Sequence, residues 1–113
     1  MSMSVSITGS GAVSPAGWGV IAMMRALHSG AKITPSMLER ISDPSSHGTP
    51  VLRVPVEGAT TPRFARLRRA SPISKFAAAA VAEALGETRL EDIAAGNRRV
   101  GVVFTMINGC VNY

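Results

Sequence analysis

The sequence predicts an α/β fold, and three observations carry that prediction. Short β-branched runs at Val5–Thr8 and Arg99–Thr105 have the composition of strands. Apolar residues recur at helical spacing over Trp18–His28 and again from Ser71 to Leu85. The Arg99–Thr105 run is apolar on both faces, the pattern of a parallel strand covered by helices on either side. The predicted order is strand, helix, edge strand, helix, strand.

Val5-Ser6-Ile7-Thr8 is bounded by Gly9, and Gly9-Ser10-Gly11 turns the chain toward Ser14-Pro15. Val20, Met23, Met24 and Leu27 then fall at i, i+3, i+4 and i+7, one face of a helix that Gly30 ends. Residues 31–50 are punctuated by proline, glycine and serine and predict loop, with one helical turn near Met37–Ile41. Val51–Val56 alternates as a strand, and Pro55 confines it to a sheet edge because it has no N–H to donate.

The second helix has the clearest start in the chain. Ser71 is suited to the N-cap and Pro72 to the first helical position, where a missing N–H costs nothing. Gly86 is expected to close it. The run Ala77-Ala78-Ala79-Ala80 lets another backbone approach closely and predicts a helix buried in a larger body. Thr88-Arg89-Leu90-Glu91 matches a capping box for a short further helix stopped by Gly96-Asn97.

At 113 residues the chain is one domain's worth at most, and no internal repeat is visible. Apolar residues make up 46% and charged residues 17%, which excludes a disordered chain. No apolar run approaches the roughly 20 residues needed to span a bilayer. The opening segment has no early cation and is broken by Pro15, Gly17 and Gly19, unlike a secretory signal. A single cysteine, Cys110, excludes an internal disulfide and fits a reducing, cytoplasmic setting. With so few strands and no closing element after Arg99–Thr105, the expectation is the front part of a longer α/β protein.

Twelve Lys and Arg against seven Asp and Glu give a net charge of +5, which favours acidic partners. Arg63, Arg66, Arg68 and Arg69 concentrate that charge in seven residues. Five aromatics make sparse stacking platforms, and no nucleic-acid motif is present, so no nucleic-acid partner is expected.

Val5-Ser6-Ile7-Thr8-Gly9-Ser10-Gly11-Ala12-Val13-Ser14-Pro15-Ala16-Gly17 resembles the opening of β-ketoacyl synthases, the condensing enzymes of fatty-acid and polyketide assembly. Their signature is a strand, T-G-x-G-x-V-S-P-x-G, and a helix ending in A-L-x-x-G, here Ala26-Leu27-His28-Ser29-Gly30. Arg69–Ala80 looks like the family's second helix and Arg99–Thr105 like its next core strand. The resemblance implies a thiolase-like fold in which residues 1–113 are an N-terminal segment, incomplete alone and with no second domain. It also implies an acyltransferase that extends acyl chains by decarboxylative Claisen condensation with a malonyl unit on an acyl carrier protein. Family chemistry uses a cysteine thioester and two histidines, or a histidine and a partner, and needs no cofactor.

No catalytic residue carries over. Cys110 follows the last strand in Asn108-Gly109-Cys110 and does not match the family's T/S-A-C nucleophile motif; an unreactive buried thiol is the expectation. His28 and His47 match no catalytic position, and His28 suits a helix C-terminus. Two histidines and one cysteine without clustering give no basis for a metal site. Gly9-Ser10-Gly11 is not a dinucleotide fingerprint, because Ser14 stands at the third glycine and no acidic residue follows at about 20 positions.

By resemblance, the turn after the last strand faces the acyl pocket, which places Ile107 and Asn108 in its lining. Met106, Asn108 and Cys110 depart from the family's G-x-G-I-G-G at this place, and Met23-Met24 stand where the family has a tryptophan. Arg66, Arg68 and Arg69 are the residues to meet an acidic carrier protein, while helix-end solvation and ion pairing within the protein explain them without a carrier. A homodimer, or a heterodimer with a synthase-like subunit, follows from the resemblance. Two further readings compete: a non-catalytic partner subunit of the chain-length-factor kind, and a small basic nucleic-acid-binding module.

Overall fold

The computed structural model describes residues 2–39, 45 and 48–106. Two antiparallel strand pairs, two α-helices and a 3-10 helix make up its regular structure. The first pair, β1 (Val13–Ser14) and β2 (Gly17–Trp18), is a hairpin closed by Pro15 and Ala16, with Val13 opposite Trp18. Ser14 Oγ accepts the Ala16 N–H at 3.2 Å, an interaction that holds the turn in place of a further ladder rung. Gly19 N–H donates to the Ala12 carbonyl at 2.8 Å and continues the hairpin to the start of the first helix.

Helix α1 (Val20–Ser29) ends as the sequence predicts, with Gly30 in the left-handed region at φ 63° and ψ 21°. Its N-terminus has no cap of its own, because Gly19 carries no side chain to accept a hydrogen bond. Of the predicted apolar face, Val20 and Met23 are half-buried, whereas Met24 and Leu27 are exposed. The cover on this helix comes from the hairpin beside it, which reaches the first turns only.

Strands β3 (Ser36–Leu38) and β4 (Thr49–Val51) pair with Ser36 opposite Val51 and Met37 opposite Pro50. Residues 36–38 are therefore a strand, where the sequence predicted a helical turn from residue 37; Arg40 and Ile41 lie outside the described residues. The predicted edge strand over 51–56 is also shorter and shifted. Only Val51 joins the ladder; Pro50, which has no N–H to donate, already sits in it opposite Met37.

A 3-10 helix spans Ala65–Arg69 and leads into helix α2 (Pro72–Ala94). Ser71 Oγ accepts the Ser74 N–H at 3.3 Å with Pro72 in the first turn, as the sequence predicts. Gly86 interrupts α2 at φ 73° and ψ 167°, and the chain resumes the helix at once. Thr88 consequently lies inside the second stretch and not at an N-cap. Helix and chain part at Gly96 (φ 76°), where the Gly96 and Asn97 N–H groups bond back to Ile93 and Asp92.

The segments 5–8 and 99–105, predicted as strands, form no ladder among the described residues. Met3, Val5, Ile7 and Val103 are each 93% exposed, and Ala79 is the only buried hydrophobic residue in the described set. The radius of gyration is 17.5 Å, against about 13 Å for a compact domain of this length. Apart from the β3–β4 pair, the packing runs through the hairpin, which touches both α1 and α2.

Candidate functional site

The best-organised region is built around the N-terminal glycine turn. Gly9 and Gly11 lie directly on the α2 backbone: a methyl group added to either would run into the carbonyl oxygen of Ala84 or Ala80, respectively. The alanines on this helix face are what allow that approach. Glu83, in the same stretch, accepts the Val20 N–H at 2.8 Å through Oε1 and the Ala12 N–H at 3.1 Å through Oε2. It thus supplies to α1 the cap that Gly19 cannot, and fixes the turn with the same carboxylate. One turn beyond Gly86, Arg89 donates to Thr8 Oγ1 at 2.8 Å and reaches the Thr8 carbonyl at 3.5 Å.

Trp18 stands at the centre of the next layer. Its Nε1–H donates to the Pro55 carbonyl at 2.7 Å, and its ring meets Phe76 edge-on at a centroid distance of 5.6 Å and 70°. The tryptophan separates two hollows. One, of 390 Å³, opens toward Ile21, Thr60 and Glu83. The other, of 540 Å³, is an open cleft walled by Trp18, Pro55, Leu67 and Phe76, with Arg68 and Lys75 also lining it.

The 3-10 helix positions the arginines. Leu67 is half-buried and anchors it, while Arg66, Arg68 and Arg69 are exposed. With three residues per turn, Arg66 and Arg69 lie on one ridge and Arg68 beside the cleft. None of the three has an ion-pair or hydrogen-bond partner among the described residues; the ion pair found there is Arg98–Asp92 at 3.2 Å. Ile107 and Asn108, the acyl-pocket residues expected by resemblance, lie outside the described residues, as do His47 and Cys110. His28 is in the last turn of α1, with Nδ1 2.8 Å from the Met24 carbonyl oxygen.

Sequence reading located the glycine turn, the alanine helix and the arginines, and missed Glu83, Arg89 and Trp18 as connecting groups. A signal for Glu83 was present: it is the one charged residue between Lys75 and Glu87, set in an otherwise apolar helical run. No helix among the described residues is long and apolar enough to cross a membrane. The chain matches no protein-family model, and no curated protein or solved structure is significantly similar to it.

Proposed function

We propose that this chain is the N-terminal segment of a β-ketoacyl synthase-like acyltransferase with a thiolase-like fold. The intact protein joins an acyl thioester to a malonyl unit on an acyl carrier protein by decarboxylative condensation, in the cytoplasm and as a dimer. The observation that supports this reading is the seating of the Thr8-Gly9-Ser10-Gly11 turn on the alanine face of α2. The turn and the Arg69–Ala80 segment both carry the resemblance, and they meet through backbone contact at Gly11 and Ala80, with Gly9 on Ala84 one turn further along the helix. This unit's role is structural: it fixes the turn and the start of α1 against α2.

In this reading Arg66, Arg68 and Arg69 meet the acidic carrier protein. Their exposure, and the lack of partners among the described residues, leave the guanidinium groups available for that contact. Ile107 and Asn108 form one lip of the acyl pocket. The cysteine and histidines of the condensation come from elsewhere in the protein, so residues 1–113 alone are inactive.

The test is an assay of the full-length protein with acyl-carrier and malonyl-carrier thioesters, following carbon dioxide release and β-ketoacyl product. Condensation is the expected result. Product formation only in the presence of a synthase-like sister protein would instead make this a non-catalytic partner subunit. Absence of condensation under both conditions would overturn the proposal. Replacing Arg66, Arg68 and Arg69 together by Gln is expected to raise KM for the carrier substrate about tenfold, at about 0.5 kcal/mol per exposed charge pair. The kcat value should stay unchanged.

A further inference from the structure

The cleft between Trp18, Pro55, Leu67 and Phe76 has a chemistry that the synthase reading does not use. At 540 Å³ it falls within the range of about 300–1,000 Å³ usual for small-molecule sites. Two aromatic rings held at a fixed angle, prolines and valines make its walls apolar, and the Trp18 indole N–H is already committed to Pro55. The only charged residues lining it are Arg68 and Lys75; no Asp or Glu takes part. Neither cation has a hydrogen-bond or ion-pair partner among the described residues, and Lys75 is half-buried. The two cations thus face the cleft with no carboxylate opposite them, and an anion seated there would supply the counter-charge.

The geometry points to a binding site for a free amphipathic organic acid, an aromatic or compact aliphatic body carrying one carboxylate. The body lies between the Trp18, Pro55 and Phe76 walls, and the carboxylate faces Arg68 and Lys75. The site shares Arg68 with the proposed carrier contact, whereas Lys75 belongs to the cleft and not to that contact, so the Lys75 variants test the site apart from the condensing function.

Titrating the full-length protein with 1-naphthaleneacetate and its neutral counterpart, 1-naphthaleneacetamide, tests it. The Trp18 indole N–H resonance, assigned by its loss in Trp18→Phe, reports occupancy beside the tryptophan, and the Lys75 variants separate this cleft from the hollow on its other side, which Lys75 does not line. The carboxylate is expected to shift that resonance at about tenfold lower concentration than the amide, equivalent to about 1.4 kcal/mol. The preference should disappear in the Arg68→Gln/Lys75→Gln variant and survive in Lys75→Arg. An unperturbed indole resonance in the ligand-free variants shows that the cleft still forms; where the double variant fails this check, Lys75→Gln alone is compared with Lys75→Arg. Equal affinities for the two probes, a preference that persists without the cations, or no movement of the Trp18 signal with either probe would overturn the inference.

Discussion

Glu83 serves two backbone donors with one carboxylate, and both donors belong to segments more than 60 residues away in sequence. Glu83→Ala leaves the first turn of α1 and the Ala12 amide without acceptors. The expected cost is about 1–2 kcal/mol, in line with the loss of a charged cap, with a smaller loss for Glu83→Gln. Chemical denaturation of the full-length protein measures both, and a parent-like midpoint for Glu83→Ala would remove the staple from the account. At this scale the sequence was legible wherever the chemistry is local. Gly30 and Ser71 act within four residues of themselves, and their roles follow from side-chain type alone. Glu83 and Arg89 were not legible because their partners are set by how α2 lies across the N-terminus, which no neighbouring residue encodes.

Helix α2 owes its shape to Gly86, whose backbone lies in a region that residues with a Cβ essentially do not enter. Gly86→Ala must either hold that strained conformation or straighten the helix and carry Arg89 away from Thr8. The expected loss is about 1–3 kcal/mol. Arg89→Gln made in the Gly86→Ala background should then add little, and a full additive effect would show that the bend does not position Arg89. Ser71→Ala is expected to cost about 1 kcal/mol through the lost N-cap, with Ser71→Asp close to the parent. Both helices were legible because a 3.6-residue period and its terminating residues lie within one segment. The strands were not. Ser36-Met37-Leu38 has no alternation to mark it, and its pairing with Thr49–Val51 depends on a partner across a long connection. Val5–Thr8 and Arg99–Thr105 have strong strand composition yet no ladder, since composition specifies a willingness to pair and not the neighbour.

Among the described residues, the four most exposed large apolar side chains fall in or beside the two segments that lack pairing: Met3, Val5 and Ile7 at one, and Val103 in the other. Under the proposed function these are strands of a larger sheet in the intact protein. Hydrogen exchange on the full-length protein is the direct check. Amides in 5–8 and 99–105 are expected to be protected as strongly as those in the middle of α2, which open only with global unfolding. Exchange at the rate of an unstructured chain would leave the synthase reading without its sheet. The burial of Ala79 sets a local counterpart: Ala79→Leu is expected to destabilise the protein by about 1–3 kcal/mol through overpacking, read as a lower unfolding midpoint.

The contact of Gly9 and Gly11 with α2 has a consequence for how this protein can evolve. The atoms opposing them are the carbonyl oxygens of Ala84 and Ala80, and every amino acid carries the same carbonyl. No second mutation at positions 80 or 84 can make room for a side chain at the glycines. A selection for suppressors of Gly11→Ala should therefore return reversion alone at these positions, while the alanines themselves remain open to exchange for serine or glycine. The two glycines fix where lineages cannot drift, and the helix beneath them stays comparatively free.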